Sequence, residues 1–120
     1  MGGGPAGATA AQTLAQMGKQ VLLLDKRGRI KPCGGAIPPR LIKDFQIPDE
    51  LLVAKAKSAR MVSPLGKTVD IPIENGFVGM VDRAQFDEWL RQRAVLAGAT
   101  REDGLFESLQ REGANVRIYY

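Results

Sequence analysis

Apolar residues near the start of the chain recur at helical spacing and then form one short unbroken run. The helical pattern predicts a helix over residues 5–17, with Pro5 in its first turn and Gly18 just past its end. The run 21–24, Val-Leu-Leu-Leu, follows at once. A short apolar run directly after a helix predicts a strand buried on both faces, as in a parallel sheet.

The central part of the chain has the pattern of antiparallel strands. Three strands are predicted, over 59–64, 68–73 and 77–81. The second alternates like a half-buried strand, and Pro72 within it indicates a sheet edge or a bulge. Because Asn75-Gly76 is a strong hairpin signal, residues 57–81 are expected to form one antiparallel layer.

The clearest helix is predicted over residues 82–98. Asp82 can cap it, Gln85 lies three residues later as in a capping box, and Gly98 ends it. Its apolar face comprises Phe86, Leu90, Ala94 and Ala97, joined by Ala84 and Trp89. Short helical turns are expected near residues 40 and 48, and two further strands over 105–110 and 116–120.

The composition is that of an ordinary globular protein, and it excludes several kinds of catalytic and metal site. The 120 residues are 44% hydrophobic and 25% charged, with a formal net charge of +4. One cysteine and no histidine exclude an internal disulfide, a Cys/His metal site and a His-assisted nucleophile. No apolar run is long enough to span a bilayer and no signal peptide is visible, so a cytoplasmic setting is expected.

Basic residues cluster between Lys26 and Lys31. Such a cluster can bind phosphate groups, and it can equally be a solvent-exposed loop without a ligand. No aromatic interleaving or nucleic-acid motif accompanies it, so nucleic-acid binding is not predicted.

The first eight residues contain the motif that points to a ligand. Gly2, Gly4 and Gly7 have the spacing G-x-G-x-x-G and run into the predicted helix. In a dinucleotide site the first glycine allows a tight turn, the second lets the backbone approach a pyrophosphate, and the third permits close helix packing. The helix N-terminus offers unpaired N–H groups to the phosphates. A glycine turn that only caps a helix has the same pattern.

Asp25 closes the first predicted strand, 18 residues after Gly7. An acidic residue about 20 positions after such a motif typically binds ribose hydroxyls. A carboxylate there would repel a 2′-phosphate, so the pattern favours FAD or NAD over NADP. The alternative is a strand-end charge without a ligand.

The segment 27–39 is a long loop rich in glycine and proline, and such loops are usually functional. Gly34 and Gly35 would allow close approach to a flat ligand. Cys33 either packs against that ligand or is a small buried hydrophobic residue, and the residues alone favour the second interpretation.

Two features depart from a complete nucleotide-binding domain. The central strand that should lead into Gly2 is missing, and no ordinary crossover helix follows Asp25. We therefore expect an incomplete α/β fold that is cut at both ends.

Three segments together resemble the geranylgeranyl reductases: 2–8 (Gly-Gly-Gly-Pro-Ala-Gly-Ala), 21–27 (Val-Leu-Leu-Leu-Asp-Lys-Arg) and 31–38 (Lys-Pro-Cys-Gly-Gly-Ala-Ile-Pro). The first two are shared across many flavoproteins, and the third is more specific. These enzymes are FAD-dependent members of the para-hydroxybenzoate hydroxylase-like superfamily. Within the family, the chain most resembles the branch that converts the geranylgeranyl tail of chlorophyll or bacteriochlorophyll to phytyl. A neighbouring branch saturates archaeal lipid chains. The resemblance covers nearly the whole chain but only the N-terminal part of the family's length.

The resemblance implies an FAD-binding Rossmann-like fold with inserted antiparallel strands of a substrate layer. Residues 1–39 would form the nucleotide-binding corner and the Cys-Gly-Gly loop, 57–81 the substrate-side strands, and 82–98 a helix returning to the FAD-binding layer. NADPH would reduce bound FAD, and a hydride and a proton would then saturate a prenyl double bond. The implied cofactor-binding residues are Gly2, Gly4, Ala6, Gly7, Asp25, Cys33, Gly34, Ala36 and Arg83.

Arg83 and Cys33 are the side chains whose roles depend most on the resemblance. Arg83 stands in the first turn of a predicted helix, where a cation is electrostatically unfavourable, and the family's arginine at this junction contacts FAD. The alternative is an exposed arginine without a partner. Cys33 is the candidate proton donor, with its burial and pKa open.

Three functions remain open. The parent protein is expected to be a prenyl reductase, with the isolated fragment inactive. The alternatives are an aromatic-ring monooxygenase of the same superfamily and a non-catalytic nucleotide-binding fragment. A prenylated small molecule is the expected partner, whereas peripheral contact with a photosynthetic membrane and the oligomeric state stay open.

Overall fold

The computed structural model describes residues 2–26, 32–33, 35–74 and 76–120, which divide between two compact units. The first unit draws on 1–30 and 87–120, the second on 31–86. In chain order the elements are α1 (Pro5–Gln16), β1 (Leu22–Asp25), β2 (Ala36–Ile37), α2 (Pro39–Asp44), a 3-10 turn (Asp49–Leu51), β3 (Leu52–Ala56), β4 (Ser58–Val62), β5 (Thr68–Pro72), β6 (Val78–Val81), α3 (Arg83–Leu96), β7 (Thr100–Asp103), β8 (Ser108–Glu112) and β9 (Asn115–Tyr119).

Helix α1 begins and ends as its sequence predicts. Gly4 is the N-cap residue, Pro5 occupies the first turn, and Met17 is the C-cap. Gly18 follows with φ of +74°, a left-handed conformation that glycine adopts without strain.

Strand β1 pairs in parallel with β7, from Leu22 beside Thr100 to Asp25 beside Asp103. The predicted parallel pairing is confirmed, but its partner was not predicted because β7 reads Thr-Arg-Glu-Asp and has no apolar pattern. Burial on both faces holds for Leu23 and Leu24, and it is wrong for Leu22, which is 40% exposed.

The core of the first unit is small and rich in alanine. Leu23 packs in one cluster with Ala11 of α1, Ala94 of α3 and Ala99. Alanine has no side chain beyond Cβ, so the backbones of both helices can come close to the strand.

In the second unit β6 lies between β2 and β3 and is antiparallel to both. Neither β2 nor β3 was predicted. The short helical turn near residue 40 and the one near residue 48 are confirmed by α2 and the 3-10 turn.

Strands β4 and β5 form a separate two-stranded sheet. The prediction of one antiparallel layer over 57–81 is therefore wrong in its pairing, because β6 pairs with β2 and β3 instead of with β5. The half-buried character expected for 68–73 is also wrong, since every residue of β5 is exposed. Pro72 ends β5 at a sheet edge as expected, whereas Asn75 lies outside the described residues.

Helix α3 and the last two strands follow the sequence closely. The Asp82 carboxylate accepts the N–H of Ala84 at 2.8 Å and caps α3, and Gly98 follows the helix with φ of +106°. Strands β8 and β9 form a hairpin around Gly113, whose φ is +64°.

We expect Leu23→Ala to lower the free energy of unfolding by about 2–3 kcal/mol, because the surrounding alanines cannot fill the cavity. The neighbouring Leu22→Ala is the matched control, since its side chain is 40% exposed, and it should lose less than about 1 kcal/mol. Urea denaturation measures both. Equal losses would contradict the packing described for β1.

Candidate functional site

The glycine loop is closed by a contact between its first and last glycines. A Cβ added to Gly7 would lie 2.2 Å from the carbonyl oxygen of Gly2, so position 7 admits no side chain. Gly2 itself has no left-handed φ, and its added Cβ would meet nothing within 4 Å. The tight turn expected of Gly2 is therefore not what requires glycine in this loop. The requirement comes from the first turn of α1 passing over it.

The N-terminus of α1 has the properties of an anion site. The N–H groups of Ala6 and Gly7 lie in the first turn, where a helix provides no acceptor for them. No acidic residue occupies that turn, so the positive end of the helix dipole is not neutralised from within the helix. A Cβ at Gly4 would meet nothing within 4 Å, which leaves open space beside these donors.

Asp25 lies beside the glycine loop, as its place at the end of β1 predicts. Its Oδ1 accepts the backbone N–H of Gly3 at 3.0 Å, and its Oδ2 accepts Nη1 of Arg91 at 2.9 Å. The backbone oxygen of Asp25 accepts the N–H of Gly104 at 3.1 Å, which extends the β1–β7 ladder. The carboxylate is thus held on one side by the loop and on the other by α3.

Glu88 joins this pair to β7. It accepts Nε of Arg91 at 3.1 Å, and Arg101 donates to it through both Nη atoms at 2.7 and 3.0 Å. The bidentate contact with Arg101, aided by Arg91, lowers the pKa of Glu88 from 4.5 to about 2, against a smaller opposite effect of burial. Asp25, Glu88, Arg91 and Arg101 thus form one cluster of two carboxylates and two guanidinium groups, whose formal charges sum to zero.

The Cys-Gly-Gly loop is anchored on β6. Gly35 is buried with φ of +68°, and an added Cβ would lie 2.1 Å from the carbonyl oxygen of Val81. Its own carbonyl accepts the N–H of Val81 at 2.9 Å. At Gly35 the structure thus shows a close approach to the strand backbone. The close approach to a flat ligand stays a prediction. Gly34 lies outside the described residues.

The remaining predicted site residues belong to the second unit. Cys33 is exposed, and its Sγ accepts the N–H of Gly35 at 3.5 Å, so the expectation of a buried cysteine is wrong. Ala36 is exposed in β2 opposite Met80, and Arg83 is half-buried at the start of α3. Val81, which Gly35 contacts, lies two positions before Arg83 in the chain.

Sequence reasoning missed Gly3, Glu88, Arg91 and Arg101. Gly3 was visible only as the middle of three glycines, yet a Cβ there would lie 2.9 Å from the Asp25 side chain and 3.0 Å from Cδ of Arg91. The spacing of Glu88 and Arg91, three residues apart on a helix, indicates an ion pair. Nothing in the sequence connects that pair to Asp25, which is 66 positions away from Arg91.

Two further properties concern the described part of the chain only. Within it, no three His, Cys, Asp or Glu side chains are grouped so as to hold a metal ion. No helix there has the length and apolar character needed to cross a membrane.

Comparison with known proteins supports the predicted fold. Residues 1–48 match the family of NAD(P)-binding Rossmann-like domains. A solved structure described as geranylgeranyl bacteriochlorophyll reductase-like, from Thermoplasma acidophilum, superposes with a TM-score of 0.84 at 27% identity over 96% of this chain and 32% of its own. The flavin-dependent brominase Bmp2 shares the fold with a TM-score of 0.77 at 21% identity, over 96% of this chain and 31% of its own. The α/β Rossmann-like prediction is confirmed.

Comparison of sequences gives a relative of higher identity than the solved structures do. Geranylgeranyl diphosphate reductase of Rhodobacter capsulatus is 62% identical over all 120 residues. These residues cover 31% of that protein. The chain thus spans about a third of the length of this curated relative.

Gly35→Ala and Gly66→Ala are a matched pair that separates backbone conformation from close contact. Both glycines have left-handed φ, +68° and +76°, so alanine should cost about 1–2 kcal/mol of unfolding free energy at either position. A Cβ at Gly66 meets nothing within 4 Å, whereas at Gly35 it overlaps the Val81 oxygen. Urea denaturation should show a loss at least twice as large for Gly35→Ala. Equal losses would contradict the anchoring of the loop on β6.

The pKa of Glu88 predicts how stability depends on pH. Because the folded-state pKa is lowered from 4.5 to about 2, the ionised carboxylate stabilises the protein above about pH 4.5. That contribution is lost as the pH falls from 4.5 towards 2. The difference in unfolding free energy between wild type and Glu88→Gln should be about 1 kcal/mol near pH 6, after solvent screening, and should shrink towards pH 2. A difference that does not vary with pH would contradict the assignment.

Proposed function

We propose, from the premise that this chain belongs by sequence to the geranylgeranyl reductase family, that the protein is an FAD-dependent oxidoreductase that saturates double bonds of a prenyl chain. The observation that carries the proposal is the 62% identity to geranylgeranyl diphosphate reductase along all 120 residues. The residues cover 31% of that relative, so the activity is proposed for a protein of the relative's full length, and the 120 residues alone are expected to show no turnover.

The geometry of the first unit fits the adenosine diphosphate part of FAD. The pyrophosphate would lie in the open space at Gly4 and accept the first-turn N–H groups of Ala6 and Gly7. Gly2 would complete the loop around it, through the contact with Gly7. The Asp25 carboxylate, held next to the loop by Gly3, would accept the ribose hydroxyls.

Four further residues would lie near the reacting part of the cofactor. When bound, FAD supplies hydride-transfer chemistry, with NADPH as the electron donor. Arg83 would contact FAD from the first turn of α3, and Cys33, Gly34 and Ala36 would line the flavin region. The exposed Cys33 thiol would be the proton donor to the alkene carbon that does not receive the hydride.

The substrate we propose is the geranylgeranyl tail of chlorophyll or bacteriochlorophyll, reduced to phytyl. The names of two relatives support a geranylgeranyl chain as the substrate, and one of them, geranylgeranyl bacteriochlorophyll reductase-like, also supports the pigment that carries it. A prenylated pigment partitions into membranes, so we place the protein in the cytoplasm with peripheral contact to the photosynthetic membrane.

Flavin binding tests the cofactor part of the proposal through Gly4→Ala. A methyl group at position 4 would fill the space assigned to the pyrophosphate, so the affinity for FAD should fall at least about tenfold. The dissociation constant can be read from the change in flavin absorbance on titration. Gly66→Ala, whose added Cβ also enters open space, is the control and should bind FAD like wild type. Unchanged binding by Gly4→Ala would contradict the placement of the pyrophosphate.

Turnover by a protein of the relative's full length tests the reaction. Incubation with NADPH and a geranylgeranylated bacteriochlorophyll should give products heavier by two hydrogens for each bond reduced, measured by mass spectrometry. Oxygen uptake with a hydroxylated product would instead indicate a monooxygenase, and would overturn the proposal.

A further inference from the structure

Arg91 is the side chain that contacts both parts of the nucleotide-binding corner. Its Nη1 donates to Oδ2 of Asp25 at 2.9 Å and to the carbonyl oxygen of Gly3 at 3.1 Å. The Arg91 side chain is 12% exposed and that of Asp25 17% exposed. An ion pair this far removed from water is screened less than one at the surface, so its geometry is firmly held.

Gly3 is fixed through both of its backbone polar groups. Its N–H donates to Oδ1 of Asp25, and its carbonyl accepts from Arg91. Its Cα packs so closely against the two side chains that a Cβ would overlap Cγ of Asp25 at 2.9 Å. The middle residue of the glycine loop therefore cannot move without breaking its hydrogen bonds to both members of the ion pair.

The ion pair leaves Asp25 able to bind a ligand. A carboxylate has about four acceptor positions, and the contacts described here use one on each oxygen. The remaining positions match the two hydroxyls of a ribose. Holding the carboxylate before the ligand arrives lowers the entropy that binding would otherwise lose.

The shape of arginine explains why this position needs more than a positive charge. While Nη1 reaches Asp25 and Gly3, Nε donates to Glu88 at 3.1 Å, and Glu88 is held in turn by Arg101. A lysine has one compact ammonium group and cannot make both sets of contacts from the same geometry.

We infer that Arg91 is a positioning residue for nucleotide binding: it holds the Asp25 carboxylate and the Gly3 backbone in one arrangement, already set to receive the ribose and pyrophosphate of an adenosine diphosphate group. The inference rests on the proposed function, because it assumes that Asp25 binds the ribose. It goes beyond that function by giving a role to a residue that touches no ligand.

The test compares binding of ADP and 2′-deoxy-ADP by calorimetry, in wild type, Asp25→Asn, Arg91→Met and Arg91→Lys. Wild type should bind ADP about tenfold more tightly than 2′-deoxy-ADP, the usual effect of a hydrogen bond to a charged group. Asp25→Asn should reduce this preference to less than about threefold. Arg91→Met should do the same with Asp25 intact, and Arg91→Lys should retain part of it. When Arg91→Met is combined with Asp25→Asn, it should not reduce the preference for ADP over 2′-deoxy-ADP any further.

Arg93→Met is the matched control. Arg93 lies on the same helix and stacks on the ring of Trp89 at 4.6 Å, so its loss should leave the tenfold preference intact. If Arg91 had a purely structural role, Arg91→Met would lower the affinities for ADP and 2′-deoxy-ADP by the same factor and keep the preference. That result would overturn the inference. If Arg91→Met does not fold, as judged by circular dichroism, Arg91→Lys decides, and a wild-type preference in that variant overturns the inference.

If the proposed function is wrong, the binding data will differ from those expected when only the role of Arg91 is wrong. Equal binding of ADP and 2′-deoxy-ADP by wild type would overturn the ribose role of Asp25 and this inference with it. A normal preference in wild type that is lost in Asp25→Asn but kept in both Arg91 variants would overturn only the role of Arg91.

Discussion

The ion pair between Asp25 and Arg91, closed around the backbone of Gly3, is the interaction on which the first unit depends. It joins the glycine loop, the end of β1 and the middle of α3, three segments that are far apart in the chain. Each group in it forms a hydrogen bond with another in a partly buried setting. Loss of any one member would leave polar groups unsatisfied, which is more destabilising than the bond itself is stabilising.

The second unit is organised by a different constraint, the close approach of two backbones. Gly35 can pack on the Val81 carbonyl because it has no Cβ, and β2 follows directly from that contact. The Lys-Pro-Cys-Gly-Gly segment resembles a family signature, and at Gly35 the structure supplies a physical cause for it that involves no ligand. A residue can thus belong to a functional motif and still be required for packing.

Most of the elements could be predicted, and those that could not share a cause. Helices α1 and α3 have complete apolar faces and end signals, which depend only on neighbouring residues. Strand β7 is polar and short, and it is a strand because β1 offers its backbone for pairing. The pairing of β6 with β2 and β3 instead of β5 could not be predicted either, since every strand offers the same backbone donors and acceptors and these do not select a partner.

For the candidate site, the sequence by itself determined the residue types that we propose for ligand binding: the glycines at fixed spacing, the helix start at Pro5 and the acid at Asp25. These are local requirements, set by backbone conformation and by position relative to one helix and one strand. Only the tertiary structure decided which side chains hold them in place. Arg91 and Glu88 read as an ordinary surface ion pair until folding brings α3 beside the glycine loop, because charge interactions depend on distance in space and not on separation along the chain.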